Sequence, residues 1–156
     1  RVRKELVRTL TRLSSPECEG LVIAFLTDAD RGVQEAAVSA LSVMRGERAA
    51  GIVLDVIRRS APYASLDSEV RQEAIASAGR MGLKEAAQPL VDILTRKAFI
   101  GFAESTSLRL AAVQALGAVG GNLAMEALRA VAQTESKREV RDAAVAALAG
   151  RGLETP

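Results

Sequence analysis

The chain has 156 residues with 49% hydrophobic but only 3% aromatic side chains, no histidine, no tryptophan and one cysteine. The lack of histidine excludes nucleophile–histidine pairs and histidine-based metal sites, and one cysteine excludes a disulfide within the chain, so we predict no catalytic residue, no metal site and no cofactor. The net charge of +2 argues against nucleic acid as the partner, because dedicated nucleic-acid binders usually carry a strong basic excess.

The same apolar pattern recurs five times along the chain. Each copy starts at an aliphatic anchor residue, and further apolar residues follow four, five and eight positions later, and in the first four copies eleven positions later as well. Offsets of four, eight and eleven lie on one face of an α-helix, so each repeat is predicted to begin with an amphipathic helix, which we name helix A. The anchors are Val2, Val33, Val70, Leu108 and Val140.

A turn and a second amphipathic helix, helix B, follow helix A in the first four repeats. Gly82 and Gly120 stand where a left-handed residue would end helix A, whereas the first two repeats have Ser14 and Arg45 there and are expected to use other turn chemistry. Ser15 and Pro16 indicate an N-cap followed by proline at the first position of helix B. The N-caps predicted for the next A helices are Asp30, Asp67, Ser105 and Ser136, the last in a capping box with Glu139.

The anchors are 31, 37, 38 and 32 residues apart, which predicts one repeat array over residues 1–156. Its repeats cover residues of about 1–29, 30–66, 67–104 and 105–135, with a partial repeat at 136–152. A single hairpin cannot bury its apolar face, so we expect an all-α solenoid of stacked hairpins with a right-handed superhelix. Because the sequence begins with Arg1 and not with Met, we expect a piece of a longer protein.

Three segments carry a resemblance to a known family: residues 68–82, 108–120 and 139–149. Their pattern resembles the HEAT-repeat family in its short bacterial form, related to the HEAT-like repeats of phycobilin lyases. The resemblance implies the fold and says little about function, since such repeats serve many roles. It also implies that the arginine after each anchor joins a polar ladder between repeats, with Gln34 departing from the pattern. These arginines are Arg3, Arg71, Arg109 and Arg141.

Two insertions lengthen the second and third repeats, at residues 60–66 and 97–103. They contain Tyr63, Phe99 and Phe102, which are most of the aromatic residues in the chain. Insertions in repeat arrays often form the binding face, and exposed aromatic residues often anchor interfaces, so we predict a partner-binding site here. The alternative is that the loops fold back as an apolar plug over the helix ends.

A row of polar residues, with charges of both signs, lies along the outer face of helix B in successive repeats. It comprises Asp55, Arg58, Arg59, Asp92, Arg96, Arg129 and Gln133. Mixed charge favours a protein or peptide surface over a phosphate backbone, which requires clustered positive charge. A solvated helix face is the alternative.

The first helix has a basic stripe, which either binds nucleic acid or anionic lipid, or is solvated or packed against another repeat. The stripe comprises Arg1, Lys4, Arg8 and Arg12. Cys18 stands where other repeats have alanine, so it is predicted to fill a small buried slot and not to be reactive.

These observations favour a non-catalytic scaffold that binds another protein or peptide through the insert loops and the helix B row. Two alternatives remain: nucleic-acid binding through the basic first helix and the helix B arginines, and an accessory role in prosthetic-group attachment, by analogy with the lyases. No apolar run is long enough for a membrane span, and the single cysteine fits a reducing compartment, so we expect a cytoplasmic location.

Overall fold

The computed structural model describes residues 1–13, 15–95 and 104–152, and within these ranges it contains helices and connecting turns without strands. The prediction of an all-α helical-repeat fold is therefore confirmed. The α-helices in these ranges are α1 (Val2–Leu13), α2 (Pro16–Ala24), α3 (Arg31–Met44), α4 (Glu47–Arg58), α5 (Ser68–Met81), α6 (Ala87–Thr95), α7 (Thr106–Val119), α8 (Asn122–Thr134) and α9 (Arg138–Gly152).

The helices form two compact units, Arg1–Met81 and Gly82–Pro156. In the first unit, α1, α3 and α5 are A helices that pack side by side, and the B helices α2 and α4 pack against them. In the second unit, the A helices α7 and α9 pack together, while the B helix α6 packs on α7 and the B helix α8 packs on α9. The extension of one array over both units stays a prediction.

Small and branched side chains fill the core of each unit. The anchors Val70 and Val140 are fully buried, as are Ala74 and Ala144, four positions later. Alanine at this contact lets neighbouring A helices approach closely without loss of helix propensity. The equivalent residue of α1 is Leu6, which is 47% exposed because no helix in the described residues covers this side of α1.

The turn after the second helix A differs from the prediction. Arg45 adopts the left-handed conformation (φ 54°), and Gly82, at the same position one repeat later, also has a positive φ (66°). This conformation costs a non-glycine residue roughly 1–2 kcal/mol. The Arg45 guanidinium donates a hydrogen bond to the Arg80 carbonyl at 3.0 Å, which offsets part of that cost.

Most of the predicted helix starts that the structure tests are confirmed. Ser15, Asp30 and Ser105 each accept a hydrogen bond from a backbone N–H in the first turn of their helix. The capping box predicted at Ser136 is wrong, since α9 begins at Arg138. The carboxylate of Glu135 instead accepts the N–H of Lys137, the residue before α9, at 2.8 Å.

In the last four repeats, the residue after the anchor donates a hydrogen bond to a backbone carbonyl at the end of the preceding helix B or shortly after it. The bonds run from Gln34 to the Asp28 carbonyl (2.7 Å), from Arg71 to Ile57 (2.9 Å), from Arg109 to Leu94 (3.4 Å) and from Arg141 to Glu135 (3.1 Å). The last carbonyls of a helix have no N–H donors within the helix and carry partial negative charge, so a side-chain donor there is favourable. Gln34 stands where the later repeats have arginine, and its side chain also donates to a backbone carbonyl of the preceding repeat.

Arg3 is the exception, since it pairs with the Asp28 carboxylate at 2.9 Å. The predicted polar ladder consequently exists in the structure, and its common element is the bond to a carbonyl at or just after a helix end, not the arginine itself.

Replacing Arg71 by alanine would leave the buried Ile57 carbonyl without this donor, so we expect a loss of about 1–3 kcal/mol in the free energy of unfolding. Arg71→Gln should lose less, because Gln34 makes the equivalent bond in the preceding repeat. Urea unfolding followed by circular dichroism measures both. The exposed Arg58 provides the control, and Arg58→Ala should change stability by less than about 0.5 kcal/mol. Equal losses for Arg71→Ala and Arg58→Ala would contradict the assignment.

Candidate partner-binding surface

The first insert loop starts at a sharp reversal of the chain. Helix α4 ends at Arg58, and Arg59 takes the left-handed conformation (φ 58°). The Ser60 N–H then bonds the Asp55 carbonyl at 2.9 Å, which closes the helix end. Residues 63–65 form a single 3₁₀ turn, in which the Leu66 N–H bonds the carbonyl of Tyr63. The loop therefore has its own hydrogen-bonded structure.

Tyr63 lies at the base of this loop and is only 8% exposed. Burial raises the pKa of its phenol, and the negative charge of Asp55 raises it further, against a smaller opposite effect of Arg48. The ring therefore follows the alternative in which the aromatic residue packs inward as a plug, and it is not an exposed anchor. Whether the loop itself contacts a partner stays a prediction.

Arg59 fastens the loop from the outside. Its Nε and Nη2 atoms donate to the Ala64 carbonyl at 3.3 and 3.1 Å. This guanidinium was predicted to face a partner, and the structure shows that it also holds the loop. Arg58, the preceding residue, is exposed on α4, and Asp55 is half-buried beside it.

A cleft of about 250 Å³ lies between this loop and the segment that joins α2 to α3. It is lined by Leu26, Thr27, Ala29, Arg31, Gln34, Pro62, Tyr63, Ser65, Leu66 and Asp67. Its rim carries the exposed Thr27, Pro62, Ser65 and Asp67, whereas Leu26 and Tyr63 are buried. Connecting segments of two successive repeats thus form a polar recess with an apolar base.

Charge on the rim is partly neutralised. Arg31 pairs with Glu69 at 3.2 Å and with Glu35 at 3.4 Å. These side chains are about half exposed, so solvent weakens the pairs and a bound group can compete for Arg31. The recess can therefore accept a polar or acidic side chain at Arg31.

The other predicted site residues lie apart from this cleft or outside the described residues. Asp92 is exposed on α6 and accepts a bond from Gln88 at 2.9 Å. Arg129 and Gln133 are exposed on α8. Residues 96–103, which contain Arg96, Phe99 and Phe102, are outside the described part of the chain.

The basic stripe of α1 is not one unpaired patch. Arg8 pairs with Glu5 on the same helix, and the Lys4 ammonium lies over Gly32 at the start of α3. Arg12 is exposed. Binding of nucleic acid by this stripe stays a prediction.

Cys18 is buried, as predicted, at the position where the neighbouring repeat has the fully buried Ala49. Among the described residues, no group of acidic and cysteine side chains is arranged to hold a metal ion. Within the same part of the chain, no helix has both the length and the apolar character needed to cross a membrane.

An ion pair between Arg109 and Glu135 in the second unit was not predicted from the sequence. Burial alone would raise the pKa of Glu135, but the Lys137 N–H and the Arg109 guanidinium outweigh burial and lower it. The two charged side chains are mostly buried, so the pair is poorly screened by solvent. Glu135 lies in the turn between α8 and α9, outside the apolar periodicity of the helices, so the sequence pattern does not predict its ion pair.

The comparison with known families agrees with this fold. The family model described as HEAT repeats matches residues 1–65, so this part of the chain is similar to HEAT repeats. A search of the curated proteins found no match. The relation to phycobilin lyases stays a prediction.

Glu135 gives the second unit a defined acid sensitivity. Because its pKa in the folded state lies below the ordinary value of 4.5, the stability that its charge contributes is present above pH 4.5 and is lost as the pH falls through the folded-state pKa. Glu135→Gln should therefore be less stable than the parent near neutral pH, and the difference should shrink below pH 4.5. Thermal unfolding measured at a series of pH values checks this. A difference that stays constant or grows on acidification would contradict it.

Tyr63→Ala should destabilise the chain by about 2–4 kcal/mol, because it removes a buried ring and leaves a cavity. Ser65→Ala, an exposed change in the same turn, should stay within about 0.5 kcal/mol. Chemical denaturation compares the two variants. If Tyr63→Ala is as stable as Ser65→Ala, the ring does not plug the loop. Tests of partner binding should therefore alter the cleft rim and leave Tyr63 in place.

Proposed function

We propose that the chain is a non-catalytic interaction module that binds a protein or peptide at the edge formed by the insert loop and the neighbouring helix B surface. HEAT repeats commonly mediate protein–protein interaction, and residues 1–65 are similar to this family. The single observation that carries the proposal is the cleft between segments of successive repeats, which has a structured wall and an exposed polar rim.

Preorganisation supports this role. A loop that is already fixed by the Arg59 bonds and the Tyr63 plug loses little conformational entropy when a partner binds. A volume of about 250 Å³ accommodates one side chain or a short turn, not a large cofactor. The fit is therefore to a protein segment that inserts a side chain into the recess and lies along the rim.

The helix B residues extend the same edge. Arg58 is exposed and Asp55 half-buried at the end of α4 from which the loop departs. Charges of both signs at this edge select a partner by complementarity and contribute mainly to specificity and association rate. The predicted partner-binding residues of the second unit are Asp92, Arg96, Phe99, Phe102 and Arg129, and we propose that they contact a partner as well.

A cleft-filling variant tests the proposal. Thr27→Arg with Ser65→Arg places two long side chains on the cleft rim, and Asn122→Arg with Ala149→Arg adds the same charge at exposed helix positions outside the cleft. Each protein serves as bait in a nuclease-treated native lysate, and the captured proteins are quantified by mass spectrometry. We expect one set of proteins to bind the parent and the control and to be depleted at least tenfold by the cleft variant, which corresponds to about 1.4 kcal/mol.

Two outcomes would contradict the proposal. If the cleft variant captures the same proteins as the parent, the cleft is not the binding site. If all enrichment disappears with nuclease, nucleic acid is the partner and the basic stripe of α1 replaces the cleft as the candidate surface. Circular dichroism of each variant confirms that the helices are intact.

A further inference from the structure

A second surface of the first unit lies between the A helices. A groove of about 430 Å³ runs between α1 and α3. It is lined by Val7, Arg8, Thr11, Arg12, Ala36, Ser39, Ala40 and Val43. It shares no lining residue with the cleft of the proposed function, so the two sites can be tested separately.

The groove occurs at defined positions of the repeat. The second unit has a groove of about 530 Å³ between α7 and α9, lined at equivalent positions by Gln114, Gly117, Ala118, Ala143, Ala146, Ala147 and Gly150. That groove has no charged residue on its lining. The α1–α3 groove differs because Arg8 and Arg12 stand one helical turn apart along one lip.

The chain fills the corresponding position between α3 and α5 with one of its own side chains. Arg80 lies there, with its Nη2 atom 2.8 Å from the Ser77 hydroxyl and 2.5 Å from the Glu73 carboxylate. Its Nε atom lies 3.4 Å from the Ser42 hydroxyl, across on α3. The residue equivalent to Arg80 on α3 is Val43, which is 63% exposed and leaves the α1–α3 groove open.

The lining of the α1–α3 groove indicates which secondary structure a bound partner segment would have. Its wall consists of Val7, Ala36, Ala40 and Val43, and it offers few hydrogen-bonding groups to an extended backbone. An α-helix satisfies its own backbone bonds and needs only an apolar face. The groove follows α3 from Ala36 to Val43, about two turns, which matches two turns of a docked helix. The small Ala36 and Ala40 allow that helix to come close.

Charge decides what the docked helix carries beside its apolar face. The lining contains two arginines and no acidic residue. Arg8 is held by Glu5 in an exposed pair that contributes little, and Arg12 has no acidic partner among the described residues. Carboxylates on the incoming helix would bind both guanidinium groups.

We propose that the α1–α3 groove binds an amphipathic helix of a partner protein. The apolar side chains of that helix contact Ala36, Ala40 and Val43, and its acidic side chains pair with Arg8 and Arg12.

Two variants and one control test this proposal. Ala36→Glu with Val43→Arg copies Glu73 and Arg80 and plugs the groove with side chains that the fold already accepts one repeat later. Arg8→Gln with Arg12→Gln removes the basic lip. Lys84→Gln with Arg138→Gln removes the same charge at exposed positions of the second unit.

The probes are two helical peptides of about 16 residues, long enough to form a helix, with leucines three and four positions apart. One carries glutamates beside the leucines and the other carries lysines. Binding is followed by NMR through the backbone amides of residues 7–12 and 36–43. We expect the glutamate peptide to bind the parent at least tenfold more tightly than the lysine peptide, and each groove variant, but not the control, to weaken it at least tenfold.

The proposal is overturned if the glutamate peptide shifts no groove amide at millimolar concentration, or if both peptides bind equally. It is also overturned if the plugged variant, with helicity intact, binds as the parent does. Decanoate serves as a third probe, and groove shifts with decanoate alone would assign the groove to a fatty acid and exclude the helix. Unchanged peptide binding by the cleft variant Thr27→Arg with Ser65→Arg is expected, and its loss would show that the two surfaces are one site.

Discussion

The hydrogen bond from the residue after the anchor to a carbonyl at or just after the end of the preceding helix B, present in the last four repeats, is the interaction on which their stacking depends. It lets a helix end in the crowded space between repeats, where its last carbonyls would otherwise be buried without donors. Arg71 is 7% exposed and still makes this bond, so the fold accepts a buried cation to obtain it. The same bond ties the first turn of the next helix A to the connecting segment or helix end before it.

The cleft beside the insert loop follows from that constraint. Arg71 holds the end of α4 at Ile57, and the insert loop departs two residues later, at Arg59. The loop can therefore be long and still be fixed, which makes it suitable as a wall of the cleft. The groove between α1 and α3 has a different origin, since packed A helices leave a recess wherever neither helix supplies a side chain long enough to fill it.

The sequence predicted the repeat well because apolar periodicity reports directly on burial. Val70 and Ala74 were assigned to the core from spacing alone, and both are fully buried. Features that depend on a tertiary partner were not predictable in this way. Arg45 adopts a left-handed backbone conformation, and Glu135, not Ser136, binds the backbone just before α9. Tyr63 is buried at the base of its loop, although an aromatic side chain in an insertion between repeats indicated an exposed interface anchor.

The claim that the insert loop is a preformed binding edge is tested most directly by amide hydrogen exchange of the unliganded chain. The Ser60, Tyr63 and Leu66 N–H groups donate backbone hydrogen bonds within the loop and to α4. We expect these amides to exchange orders of magnitude more slowly than the amides of an unstructured peptide, at rates close to those in the last turn of α4. Exchange of all three at the unstructured rate would show that the loop is not preformed and would contradict the account.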